Sequence, residues 1–248
     1  MLKRFLYALF YPRPLIGLLY LPRFFRDLFI YRKVSTSETI AWRDLYPSLL
    51  DRVVKTPFDP HYFYQGAWLA REVAASGARD HVDIGSSIMT IGALSGFVRT
   101  TFVDYRPLQV VLPGLNCQSG DINHLSFEDN SITSLSCMHV IEHIGLGRYG
   151  DPLDPDGSIR AARELQRVLK PEGLLFLSVP VGRERVCFNS HRIFAPDKIR
   201  VLFPRLKLIS FSYVSDDGQF FTDSPTSDAA ESEYACGMYV FKKKGASV

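Results

Sequence analysis

Paired cysteines are missing from this chain. Cys117, Cys137, Cys187 and Cys236 are its four cysteines, they lie far apart, and no CxxC occurs. That spacing argues against a zinc site and fits a reducing compartment. The one GxGxxG, Gly145 to Gly150, does not follow the first strand pattern, where the fingerprint of a nicotinamide oxidoreductase sits. Tyr239 and Lys243 match a reductase signature by letters, but they fall in a strand pattern that does not suit that chemistry. No uncharged apolar run approaches the ~20 residues of a spanning helix. An excess of one charge is lacking too: 29 basic against 26 acidic side chains leave a net charge of +3. With no basic stripe along the body, nucleic acid is not an expected partner. Internal repeats and low-complexity tracts are absent.

What is there is a chain of 248 residues, 46% of them hydrophobic, enough for one folded core plus an appendage. The appendage is residues 1–35, rich in Leu, Phe and Tyr. Lys3, Arg4, Arg13, Arg23, Arg26, Arg32 and Lys33 are scattered through it, and Asp27 is its one acid. Pro12, Pro14 and Pro22 break it into short pieces. Those prolines and Arg13 also spoil the apolar core of a signal peptide, and no small-x-small cleavage site follows. Rings mixed with cations suit a membrane surface, peripherally and at the inner face for a cytoplasmic protein. The alternative is an arm packed on its own body or on a second subunit. Residues 36–248 make the second domain. Its first well-marked helix is capped by Asp59-Pro60 and ends at Gly77. Tyr62, Gln65 and Trp68 on it line either a site or the core.

The stretch Gly120 to Pro180 organises that domain. Two apolar runs, 132–140 and 174–179, have the length of buried strands. Between them Ile159, Ala162, Leu165, Val168 and Leu169 recur at helical steps, with charges between. Asp156 and Ser158 are candidate caps, and Lys170-Pro171-Glu172-Gly173 reads as the stopping turn. Strand, loop, helix, turn and strand make a βαβ unit, which predicts a parallel sheet with a right-handed crossover. Upstream, a short strand ends at Asp83-Ile84-Gly85 and runs through small residues into a helix, where a nucleotide-like ligand meets backbone N–H groups. Asp104 closes the next strand about twenty residues after Asp83, the spacing at which an acid reaches ribose hydroxyls. Asp121 is either a ligand-facing acid or an Asx turn with Asn123. His139 and His143 share a face only if a helix runs through them. HxxEH is therefore a weak metal signal where it starts inside a strand pattern.

Gly120-Asp121, Leu125-Ser126-Phe127-Glu128-Asp129, Val140-Ile141-Glu142-His143-Ile144 and Leu169-Lys170-Pro171-Glu172-Gly173 together resemble the second half of a class I S-adenosylmethionine-dependent methyltransferase. The closer likeness is to bacterial methyltransferase-like proteins of unknown function (DUF268-like), some found among polysaccharide-building enzymes. The resemblance covers roughly His61 to Lys243. It implies a Rossmann-like, doubly wound α/β fold: a mostly parallel seven-stranded sheet with an antiparallel C-terminal edge. It implies S-adenosyl-L-methionine as cofactor. Asp83, Gly85, Ser86, Ser87, Asp104, Tyr105, Asp121, Ile122, Cys137 and His139 would then form the cofactor side. The family has glycine at three alternating positions after the first strand. This chain keeps Gly85 but has Ser87 and Met89 at the next two. Serine is compatible if its φ is ordinary; methionine is not if the ligand lies against it.

After Pro180, Asn189, His191 and Arg192 fall at the carboxyl end of the sheet, where open α/β sheets bind ligands. His143 and His191 are the candidate catalytic bases, since histidine is matched to proton removal near neutral pH. Asn189 and Arg192 are the candidate acceptor contacts. Two readings stay open: methyl transfer to a small or saccharide-type acceptor, or a non-catalytic binding module on the same fold, tethered through residues 1–35.

Overall fold

A computed structural model describes residues 13–106 and 108–245. It divides into two compact units, Met1–Phe58 and Asp59–Val248. Residues 36–58, expected with the body, thus group with the amino-terminal segment. Residues 1–12 of the expected arm lie outside the described residues.

The first unit holds α1 (Arg13–Leu18), α2 (Leu21–Val34) and a 3-10 turn at Trp42–Asp44. Pro22 falls in the first turn of α2, where a helix has no use for its missing N–H. Arg32 and Lys33 in the last turn suit the negative end of the helix dipole. α2 buries none of its residues; Phe25, Phe29, Ile30 and Val34 are exposed. Among the described residues no helix is long and apolar enough to cross a membrane.

The second unit opens with α3 (Pro60–Ser76). The Asp59 carboxylate caps it by accepting the Tyr62 N–H at 3.2 Å. Gly77 ends it in the left-handed region at φ 66°, where a side chain would be strained. β1 (Asp80–Ile84), α4 (Ile88–Leu94), β2 (Arg99–Asp104), β3 (Leu115–Ser119) and β4 (Ile132–Met138) follow. Then come α5 (Gly157–Val168), β5 (Leu169–Val181), β6 (Arg185–Cys187), β7 (His191–Ile193) and α6 (Pro196–Leu202). β8 (Leu206–Val214), β9 (Phe220–Phe221) and β10 (Ala235–Lys243) end the chain.

One eight-stranded sheet runs β3-β2-β1-β4-β5-β10-β8-β9, and β6 pairs with β7 apart from it. The pairs β1–β2, β1–β4, β2–β3 and β4–β5 are parallel. β10 runs antiparallel to both β5 and β8. This is the expected doubly wound sheet with an antiparallel C-terminal edge, formed by β10, β8 and β9. One difference is that the two-residue β9 adds an eighth strand. β3 was not legible beforehand because its strand is largely polar and only half-buried at best. The stopping turn also moves. α5 ends at Val168 and Glu172 takes φ 65° inside β5, so residues 170–173 are an irregular start of a strand, with a register slip opposite Ile132 and Ser134.

Both faces of the sheet are covered. Ala161, Ala162, Leu165 and Val168 of α5 pack on Leu135, Leu175 and Leu177. Trp68, Leu69 and Val73 of α3 pack with Ile91, Leu94, Phe102 and Phe176 on the other side. Gln65 is buried and accepts the Ser178 hydroxyl at 2.6 Å. Gln65 and Trp68 are therefore core, and Tyr62 alone of the three is exposed. Strand order reverses between β1 and β4, and a cleft opens at the carboxyl ends there.

Candidate functional site

The cleft begins where β1 ends. Asp83 is fully buried and accepts the Ser86 N–H at 3.0 Å and the Ser86 hydroxyl at 2.6 Å. The Ser136 hydroxyl donates to it as well. Burial raises the Asp83 carboxyl to about 6. His81 lies one strand step behind, each ring nitrogen 2.8 Å from a serine hydroxyl, Ser134 on one side and Ser136 on the other. Burial lowers it to about 4, so it is neutral. The Ser86 hydroxyl also accepts the Met138 N–H at 3.0 Å. Asp83 and Ser86 thus turn inward and fasten the loop to β4; neither is on the cleft wall.

Gly85 is on it. The residue has φ 68°, and a Cβ there would stand 3.2 Å from Val140 and 3.9 Å from the Asp104 carboxylate. Only glycine keeps this wall low without strain. Ser87 has φ −60°, an ordinary value, so the serine fits where the family has glycine. Met89 is 79% exposed and does not line the cleft. The two departures therefore leave the cleft open.

Asp104 ends β2 and accepts the Arg106 N–H at 2.7 Å. Its carbonyl accepts the Gly120 N–H at 3.0 Å, which ties the tip of β3 beside that of β2. Asp121 follows at once. Its carboxylate accepts the Asn123 N–H at 2.8 Å, so the Asx turn forms, and the residue also lines the cleft. Ile122 is buried, and Tyr105 is exposed on the rim. The Asn123 side-chain oxygen is buried with no hydrogen-bond partner among the described residues. Asp104 and Asp121 thus share one cleft of about 270 Å³ with Gly85, Ile122, His139 and His143. Cys137, expected on this side, is fully buried in the core cluster behind β4 instead; burial pushes its thiol well up.

The other end of the cleft is built from histidines. β4 stops at Met138 and His139 takes φ 55°, a left-handed value uncommon for a residue with a side chain. No helix follows, so His139 and His143 do not share a helix face. Among the described residues no group of three His, Cys, Asp or Glu has the geometry to hold a metal ion. His139 Nε2 lies 3.2 Å from the Cys236 sulfur. Glu142 is fully buried, with Oε1 3.4 Å from His139 Nδ1 and 3.7 Å from His143 Nε2. Neither of its oxygens has a hydrogen-bond partner among the described residues. Burial raises the Glu142 carboxyl to about 8 and lowers His139 to about 3 and His143 to about 4. All three are uncharged at neutral pH. His143 Nδ1 lies 2.7 Å from the Ser190 carbonyl, and the Arg148 guanidinium, 3.2 Å from the same carbonyl, is equally close to Nδ1. A carbonyl only accepts, so the shorter contact puts the proton on Nδ1.

His191 stands beside His143 without lining the cleft itself. Its ring centre is 6.5 Å from that of His143 and 5.0 Å from that of Tyr234. Nδ1 meets the Ser190 hydroxyl at 2.8 Å. Arg192 does not face an acceptor. Its guanidinium donates to the Ile144 carbonyl at 2.7 Å, with longer contacts to the carbonyls of Asp154 and Pro155. It is the strut of the 142–155 loop. Asn189 is exposed in the turn between β6 and β7. The motif Val140-Ile141-Glu142-His143-Ile144 had marked Glu142 for this region; Tyr234 and His61 were not expected here, since they come from distant segments and carried no signal. Tyr234 stacks on His61 at 5.3 Å.

Comparison with known proteins places this geometry. A family described as a Caenorhabditis protein of unknown function, DUF268, matches residues 123–243, just under half of the chain. No curated protein matches the chain by sequence. Among solved structures, the N-methyltransferase NodS from Bradyrhizobium japonicum WM9, in complex with S-adenosyl-L-homocysteine, superposes with a TM-score of 0.54 at 15% identity over 75% of this chain and 88% of its own. The [4+2]-cyclase SpnF gives 0.55 at 14% identity over 74% and 82%. A methyltransferase-like protein from Bacillus halodurans C-125 gives 0.51 at 13% over 73% and 99%. These likenesses establish the fold, that of the class I S-adenosylmethionine-dependent methyltransferases.

Proposed function

We propose that this chain transfers a methyl group from S-adenosyl-L-methionine to a hydroxyl of a small, uncharged, saccharide-type acceptor. One observation carries the reading: Asp104 and Asp121, on neighbouring strand tips, face a single open cleft across the bare backbone of Gly85. A nucleoside fits what is there. Asp104 is placed to accept both ribose hydroxyls. The orphaned Asn123 oxygen and the Asp121 carboxylate are acceptors for an adenine amine, and Ile122 gives the ring an apolar floor. When bound, the cofactor supplies a methyl group activated by a cationic sulfur. The chain's own part is to place the acceptor in line and take its proton. Both nitrogens of His143 are turned to Ser190 and Glu142, so His191 is the base in this reading. The exposed faces of Tyr62 and Tyr234 beside neutral imidazoles suit the apolar face of a sugar better than an anion. Calorimetric titration with S-adenosylhomocysteine tests the reading; no heat and no thermal shift at millimolar ligand would sink it.

The exposed rings and cations of α2 support an anionic membrane surface, at the cytoplasmic face, as the place of action. Replacing Phe25 and Phe29 by Glu should then abolish sedimentation of the full chain with phosphatidylserine vesicles; unchanged sedimentation removes the idea. A non-catalytic module is the second reading, and SpnF, described as a cyclase, is one fold neighbour not described as a methyltransferase. It gains if S-adenosylhomocysteine binds only after Ser87 and Met89 are both replaced by glycine.

A further inference from the structure

We propose that Glu142 is a protonated positioning residue, donating one hydrogen bond to His143 and accepting one from His139, in a single-direction chain of donors beneath the acceptor end of the cleft. The Ser190 end of the chain sets its direction. At one end the Ser190 carbonyl can only accept, so His143 carries its proton on Nδ1 and presents a bare Nε2 to Glu142. At the other end the Cys236 sulfur lies 3.2 Å from His139 Nε2. Cys236 is fully buried, and burial holds it as a thiol, which donates or accepts weakly. The one carboxyl proton goes to the bare Nε2 of His143, so toward His139 Glu142 accepts, and the His139 proton sits on Nδ1, 3.4 Å from Oε1. Glu142 thus meets one imidazole offering a proton and one offering a lone pair. A neutral carboxyl group satisfies both. A carboxylate would satisfy His139 and oppose the lone pair of His143.

Burial supports the neutral form, and the surroundings do not oppose it. Tyr62 on α3, Tyr234 just before β10, Cys236 on β10 and Cys137 on β4 lie close enough that a charged Glu142 would push each of them up. Arg148 is the cation that acts on it, and burial outweighs it. Arg192 meets Glu142 through the main-chain carbonyl. Neither carboxyl oxygen has a hydrogen-bond partner among the described residues, and a buried polar group without a partner is costly. The contacts of 3.4 and 3.7 Å are one small shift from closure, as is common before a site fills. The proton balance is simple: no bond to carbon forms or breaks, and each group keeps one proton. The result is two neutral imidazoles held in fixed tautomers against the acceptor.

Glu142→Gln is the decisive variant, because a carboxamide turned to bring one atom to each imidazole donates to His143 and accepts from His139 but cannot ionise. Full-length E142Q should melt with the wild type at about pH 6 and above it at about pH 9, where wild-type Glu142 loses its proton. E142A should melt lower at both. With 15N-labelled histidine, His139 and His143 should show the proton on Nδ1 in wild type and E142Q, and E142A should lose the single tautomer at His139. The proposal is overturned if E142Q is as unstable as E142A, if the wild type and E142Q respond to pH alike, or if either tautomer is the opposite one. It is overturned too if zinc ions stabilise the wild type and not E142Q, which would make Glu142 a ligand. The relay does not depend on the cofactor, and S-adenosylhomocysteine titrated into the same samples reports on that reading separately.

Discussion

The two ends of one cleft use the same residue type in opposite ways. At the nucleoside end, Asp104 and Asp121 stand on strand tips, partly open to solvent and hydrogen-bonded to main-chain N–H groups of their own turns. At the other end Glu142 is sealed under two imidazoles, with neither oxygen partnered among the described residues. The first pair is arranged to accept hydrogen bonds from a ligand. The second is arranged to keep charge out. Burial and hydrogen-bond supply make a carboxyl group an acceptor at one end of the cleft and an uncharged acid beneath the other.

The largest effect should come from breaking the nucleoside end. Asp104→Ala removes two hydrogen bonds to a charged acceptor, about 1.5–3 kcal/mol each, and calorimetry should show at least a hundredfold loss of S-adenosylhomocysteine affinity with little change in melting temperature. Next comes the floor between the ends. Gly85→Ala places a Cβ 3.2 Å from Val140 at φ 68°, a strain of about 1–3 kcal/mol, seen as a lower urea midpoint and weaker binding together. The same comparison sharpens with pH. His81, His139 and His143 have folded values lowered from 6.5 to about 4, about 3 and about 4. They are neutral in the fold and take up protons on unfolding. Their stabilising effect is present above 6.5 and lost as pH falls toward 4. Glu142 is raised from 4.5 to about 8, so its contribution is present below 4.5 and lost as pH rises through about 8. Urea midpoints measured across this range should peak between the limbs, and S134A should alter the acid limb alone, through His81. The smallest effect is expected at Met89, which is exposed and off the wall. Met89→Gly should change S-adenosylhomocysteine affinity less than about twofold, and a large gain would reopen the module reading.

Much of this was legible from local pattern. The βαβ unit stood out because α5 alternates apolar and charged residues at helical steps between two buried strands. Asp104 was legible because it follows a short strand pattern at a spacing the fold dictates, and Asp121 through the resemblance that Gly120-Asp121 carries. β3 was not, since a polar edge strand leaves no hydrophobic run to read. Cys137 and Arg192 were misplaced for a common reason. Period alone shows that a residue is near a strand tip, not which way its side chain turns or which carbonyls stand within reach. Cys137 faces the core, and Arg192 is taken up by its own loop.

The amino-acid order by itself determined the sheet's parallel half, the site end of that sheet and the carboxylates at two strand tips. Period, glycine and strand length are local properties, set within a few residues. Only the tertiary structure decided that Glu142 loses its charge, that His143 turns both nitrogens inward and that the Ser87 and Met89 positions leave the cleft open. Those outcomes depend on desolvation and on partners up to 97 positions away, as with His139 and Cys236, and no local pattern encodes them.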